Sequence, residues 1–171
     1  HMLATAVKRN GPIALRYPRG EGWGAEMDSE IRSLEIGKGE LLRQGKDLGI
    51  VGIGNTVIPA LNAANDLSKL GIDAGVVNAR FVKPLDKELL LELAQGVPMM
   101  ITVEDHVLQG GFGSSVLELL AAEGITGLKV KCLGLPDHFI AHGTQPELRK
   151  ICGIDTESIA QTAIQMMQEL R

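Results

Sequence analysis

Aromatic residues are scarce in this chain. They make up 3% of its 171 residues, with one Trp, one Tyr and three Phe. Its core must therefore be assembled from Leu, Ile, Val, Ala and Met. Cysteine is nearly missing too. Cys132 and Cys152 lie far apart, in no C-x-x-C or metal-type spacing, and read as two reduced, structural thiols. No apolar run nears the roughly 20 residues of a membrane-spanning helix. No basic stretch exceeds two residues and the net charge is −4, which speaks against a nucleic-acid footprint and against a patch for anionic membranes. No secretory leader is visible, so the expected location is cytoplasmic. His1-Met2 reads as a cloning scar and points to a start inside a longer protein.

What is present is ordinary. Hydrophobic residues are 44% and charged residues 22%, enough for one globular domain, or one domain with part of another. Residues 13–16 (IALR) read as a short strand. Pro18, Gly20, Gly22 and Gly24 then break the chain into a loop. The polar residues 21–33 read as a linker, with a compact domain starting near Leu34. From there short apolar runs alternate with helical periodicity. Strands are expected at 48–53, 74–79, 97–103 and 128–133, the last alternating and so nearer an edge. Residues 36–44 can add one more. Helices are expected near 57–70, 86–95, 114–123, 145–151 and 156–169. Their start signals are Asp86, a Ser115/Glu118 capping box, a Thr144/Glu147 capping box and Asp155. Strand–helix–strand alternation predicts an α/β three-layer sandwich with a mainly parallel sheet of about five strands.

Ligands of such sheets gather at the carboxyl ends of the strands. Arg16 and Arg80 end strands there, and a guanidinium fork matches two phosphate oxygens. On pattern alone, each arginine is more simply paired with a local carboxylate. Glu104-Asp105-His106 can supply acid–base groups; a solvated turn, or a carboxylate on a backbone amide, is the simpler reading. His106, His138 and His142 fit no metal spacing. Gly110-Gly111-Phe112-Gly113-Ser114 opens a helix and can either hold an anion or form a tight turn for close packing. It is not G-x-G-x-x-G.

Four segments carry a resemblance: RYPRG (16–20), NARFVKPLD (78–86), TVEDHVLQGGFG (102–113) and GLPDHFIAHG (134–143). Their order and spacing resemble the carboxy-terminal end of the 1-deoxy-D-xylulose-5-phosphate synthases, a family of the transketolase superfamily. The likeness runs from Gly11 onward. His106 departs from it, since Asn is frequent there.

The resemblance implies a homodimeric transferase that condenses pyruvate with D-glyceraldehyde 3-phosphate on thiamine diphosphate and Mg²⁺, for isoprenoid, thiamine and pyridoxal synthesis. It implies a longer full chain of three domains, of which this stretch holds the end of the middle one and the whole of the third. Residues 1–20 would hold the scar and the last strand of a pyrimidine-binding domain, 21–33 a linker, and 34–171 the transketolase-type carboxy-terminal domain. By the same resemblance Arg16 and Arg80 contact the substrate phosphate, which reverses the preference for a local carboxylate. No catalytic, cofactor-binding or metal-binding residue is expected in this stretch, and alone it is expected to be inactive. Another superfamily enzyme, or a non-catalytic dimerisation or binding module, is the competing reading.

Overall fold

The computed structural model describes residues 1–18, 22, 24 and 26–170. Arg19 and Gly20 of RYPRG, and Glu21, Trp23 and Ala25 of the expected linker, lie outside the described residues.

Five strands form one sheet in the order β1-β3-β2-β4-β5. β2 (Leu48–Gly52), β3 (Ala74–Asn78), β4 (Met99–Val107) and β5 (Lys129–Leu135) are parallel. β1 (Glu40–Arg43) joins β3 antiparallel. The parallel strands are connected by α2 (Val57–Lys69), α3 (Lys87–Gly96) and α4 (Phe112–Ala122). α5 (Gln145–Ile151) and α6 (Thr156–Gln168) come after β5. The three-layer α/β sandwich is the one the alternation predicts, and β5 is an edge strand as expected.

The layers arise from the strand period of two. Leu48, Ile50, Val76 and Ile101 face α2 and α6, where Ala60, Leu67, Ile159 and Ala163 meet them. Val51, Val77 and Met100 face α3 and α4, against Leu90, Leu93, Phe112 and Val116. Burying each such side chain stabilises the fold by about 1.5–3 kcal/mol. Both faces are covered, so β2 is buried at every position, and its sequence reads as an unbroken apolar run.

Caps set the helix ends. The Asp86 carboxylate accepts from the Leu89 amide to start α3, the Thr144/Glu147 pair starts α5, and Asp155 accepts from Ser158 to start α6. These three match the sequence signals. The expected Ser115/Glu118 box does not form. α4 begins earlier, at Phe112, because Glu104 reaches its first amides from β4. Ser115 instead donates back to the Gly111 carbonyl.

Two further differences concern the amino-terminal stretch. Residues 13–16 form no strand; 12–18 are without regular structure and exposed. A strand is stabilised by a pairing edge, and among the described residues none pairs with this segment. Met2–Lys8 form α1 instead, with His1 before it. Thr5 ties it to the segment ahead of β1 by accepting from the Leu34 amide at 2.8 Å, and His1 meets Asp28 at 2.6 Å.

Candidate functional site

The chain order reverses between β2 and β4. β2 leads to β3 on one side, and β4 leads to β5 on the other. Such a switch point leaves a crevice beyond the carboxyl ends of the two strands. A cavity of about 1590 Å³ lies there. Ile53, Gly54 and Asn55 line it from the end of β2, and Glu104, Asp105 and His106 from the end of β4. Arg80 lines it from just past the end of β3, and Arg16 from the amino-terminal stretch. The two arginines singled out in the sequence thus face one cavity.

Arg80 sits on an unusual backbone. Its φ is +56°, the sole positive value at a non-glycine among the described residues. Left-handed backbone costs an L-residue about 1–2 kcal/mol, and such strain concentrates where a side chain must be aimed. The Asn78 side chain stabilises the turn by accepting from the Arg80 amide at 3.1 Å. The guanidinium donates through Nη2 to Glu40 Oε2 at 2.5 Å. Pairing with a local carboxylate, the reading favoured by pattern, and exposure to the cavity therefore hold together at Arg80.

Glu104 is the buried charge of the site, with 1% of its surface exposed. Its two carboxylate oxygens accept from the amides of Phe112 at 2.7 Å and Gly113 at 2.8 Å. Charge-assisted bonds at a helix amino-terminus also complement its dipole. The approach is close enough to require glycine. A Cβ on Gly111 would stand 2.3 Å from Glu104 Oε2, and one on Gly113 would stand 2.7 Å from Thr102 Oγ1. The GGFG turn is thus a close-packing device, and its amides are engaged by Glu104 rather than open to a free anion. Glu104 itself takes the simpler of its two readings, a carboxylate on backbone amides.

Asp105 bridges the switch point, accepting from Asn55 Nδ2 at 3.2 Å. The His106 ring is exposed, 4.0 Å from Glu104. His138 and His142 lie on the exposed loop after β5, outside this cavity. Among the described residues no group of three His, Cys, Asp or Glu could hold a metal ion. Cys132 and Cys152 are free thiols. Burial first, and Asp105 second, push the Cys152 thiol up from its ordinary value, which disfavours a reactive thiolate. Among the described residues no helix is long and apolar enough to cross a membrane.

Behind Arg80 stands a second buried carboxylate. Asp86 caps α3, accepts from the Gly39 amide at 2.9 Å and lies 3.5 Å from Lys38 Nζ. Burial alone would raise its pKa, but the Gly39 and Leu89 amides and Lys38 outweigh it and hold it below the usual carboxylate value. Asn78 and Asn55 line the cavity and Glu40, which does not, pairs with Arg80; reading the sequence singled out none of the three. Glu40 meets Arg80 across forty positions, a separation that no local pattern reports. Asn78 alone had a signal, as the first residue of the NARFVKPLD segment.

A mainly parallel sheet between helical layers, with a charged cavity at its switch point, defines a doubly wound α/β domain. Residues 37–159 match the family described as transketolase, C-terminal domain, and the chain belongs to that family. It is 58% identical over 160 residues to 1-deoxy-D-xylulose-5-phosphate synthase 1 of Geobacter sulfurreducens, covering 94% of this chain and 25% of that protein. It is 48% identical over 169 residues to the 1-deoxy-D-xylulose-5-phosphate synthase of Halothermothrix orenii, covering 99% and 27%. The chain thus spans about a quarter of the length of these relatives. Among solved structures, it is similar to a split-gene transketolase described as an inactive beta4 tetramer, with a TM-score of 0.75 and 33% identity over 84% of this chain and 46% of that one. A Pichia stipitis transketolase in complex with xylulose 5-phosphate gives a TM-score of 0.54 at 25% identity, over 76% and 18%.

Proposed function

We propose that this chain is the carboxy-terminal part of a 1-deoxy-D-xylulose-5-phosphate synthase, and that its strand-end cavity receives the phosphate of D-glyceraldehyde 3-phosphate. In this reading residues 34–171 are the transketolase-type domain, 21–33 a linker, and 1–20 carry the end of the preceding domain. The whole enzyme is a cytoplasmic homodimer that condenses the aldehyde with pyruvate and serves isoprenoid, thiamine and pyridoxal synthesis.

The observation that carries the reading is the pair of arginines on one cavity. Arg80 is aimed by its backbone and Arg16 lines the same space. Each guanidinium can donate two parallel hydrogen bonds to phosphate oxygens. The likeness to the two synthases supports the choice of substrate.

Thiamine diphosphate supplies the carbanion chemistry when bound. The described residues do not fit its Mg²⁺, since they hold no metal-type cluster, and the amides that open α4 are engaged by Glu104. In this reading the cofactor is held by the part of the relatives that this chain does not span. The work assigned here is to bind and orient the aldehyde phosphate.

The test is the apparent KM for each substrate in the full-length enzyme. Arg16→Ala and Arg80→Ala should each raise KM for D-glyceraldehyde 3-phosphate about ten- to a hundredfold, the loss of a charge-assisted contact worth roughly 1.5–3 kcal/mol. The KM for pyruvate, which carries no phosphate, should change little. Lysine at either position should restore only part, because an ammonium lacks the planar fork. Equal losses for both substrates would mean that the arginines hold up the fold, and the assignment would fall.

A further inference from the structure

We propose that Glu40 is a built-in competitor for Arg80, which lets the site accept a phosphate dianion and turn carboxylates away. The proposal rests on the phosphate reading above and adds a residue that sets its selectivity.

The geometry holds both partners in place. Arg80 leaves β3 through a left-handed residue whose amide is tied to Asn78. Glu40 opens β1, directly opposite Asn78 in the antiparallel register. The residue before it, Gly39, donates its amide to the buried Asp86. The carboxylate on β1 and the guanidinium just past the end of the adjoining β3 are thus braced, one by the Gly39 amide and the other by its own amide. They meet at 2.5 Å, with the Arg80 side chain only 26% exposed.

The Arg80–Glu40 pair carries no net charge, although the guanidinium itself remains a cation. It still has donors to spare, since Nη2 carries the bond to Glu40 and a guanidinium offers five N–H groups. A carboxylate ligand that displaced Glu40 would replace one monoanion by another. It would also compete with a group tethered beside the arginine, whose effective concentration is millimolar or higher. Nothing is gained, so carboxylates are excluded. A phosphate brings nearly two charges and three acceptor oxygens. It can take the free donors and outcompete Glu40 for the rest. The proposed reaction needs that discrimination, because one substrate is a carboxylate and the other a phosphate ester.

The filter has a cost that makes it testable. Glu40 repels the phosphate it admits, so its removal should strengthen binding. Inorganic phosphate and, separately, acetate are titrated into this chain while the Arg80 Nε–H resonance is monitored. Glu40→Gln and Glu40→Ala are compared with the unaltered chain. Both variants should bind phosphate about two- to fivefold more tightly, the scale of one partly exposed ion pair. Acetate should gain more than phosphate does, so the phosphate-to-acetate preference falls, and an unchanged preference would overturn the filter. Damage to the fold does not produce tighter binding, and thermal melts of the variants identify any that is damaged. Unchanged or weaker phosphate binding in variants with intact melts would overturn the filter. An Arg80→Ala chain separates the two ideas. If it binds phosphate as well as the unaltered chain, the phosphate reading itself fails. If it loses phosphate while Glu40→Gln gains nothing, only the filter fails.

Discussion

Arg80 and Arg16 face the same cavity from two different kinds of backbone. Arg80 comes just after a strand of the sheet, next to an amide bound by Asn78 and opposite a carboxylate from β1. Arg16 lies in a stretch with no regular structure, in which residues 11–18 are all exposed. The contrast teaches where precision comes from. A strand end inherits its position from the sheet, and one strained residue can aim a side chain. A segment outside the sheet inherits little from it. Such a segment is placed by whatever packs against it, and in the proposed enzyme that is the preceding domain.

The contrast can be broken most directly through stability. Ile101 is fully buried at the centre of the sheet. Ile101→Ala should destabilise the chain by about 2–5 kcal/mol, through lost burial and the cavity left behind. Leu15→Ala, one residue from Arg16, should stay within about 0.5 kcal/mol, as exposed changes usually do. Urea unfolding of the two variants provides the comparison. A Leu15→Ala loss as large as that at Ile101 would show that the two arginines stand on equally firm ground.

The next effect lies on the β4 side of the cavity. Glu104→Ala leaves the Phe112 and Gly113 amides without their acceptor in a buried site. The expected cost is about 2–4 kcal/mol, at about 1–2 kcal/mol for each unsatisfied donor. The loss should appear first in α4, as faster hydrogen exchange at those two amides. Glu104→Gln keeps one carbonyl oxygen and turns an NH₂ toward the other donor, so its cost should fall between that of alanine and none. If α4 keeps its protection in Glu104→Ala, the helix start is held by its own sequence after all.

These sites also separate what the sequence reveals from what it hides. β2, β3 and the first part of β4 were legible because both faces are covered and the apolar runs are continuous, and β5 was legible by its alternation. Asp86, Thr144 and Asp155 were legible because a cap and its amide lie three residues apart. The start of α4 was misplaced because its acceptor, Glu104, comes from another element, eight residues before Phe112. β4 runs on to Val107, past the expected end at 103, since its polar tail Glu104-Asp105-His106 reads as a turn. Its pairing with β5 carries it further, through a register shift to Val107 and Leu135. Glu40 was hidden for the same reason. Its partner is brought to it by the antiparallel pairing of β1 with β3, which periodicity alone does not specify.

The smallest expected effect sharpens the account of why Arg80 is well placed. Asp86 underlies it, binding the amide just before Glu40 and the start of α3 at once. Its carboxylate offers two acceptor oxygens to the two amides. An asparagine offers only one and must present NH₂ to the other amide. Asp86→Asn should therefore cost about 1–2 kcal/mol at neutral pH, a fall in Tm of roughly 2–8 °C at about 2–4 °C per kcal/mol for a chain of this size. Lys38 adds little to that cost, because its ammonium is 42% exposed and screened by solvent. The pH dependence has a definite sign. The folded pKa of Asp86 lies below its ordinary value, so the ionised carboxylate stabilises the fold at every pH above the unfolded value of about 3.9. That contribution is lost as the pH falls through the folded pKa. Melts of the parent and Asp86→Asn chains should thus differ at pH 7, begin to converge below about pH 3.9 and meet only below the folded pKa. A gap that stayed constant down to acid would mean that Asp86 acts through its shape alone, and that the platform under Glu40 is not electrostatic.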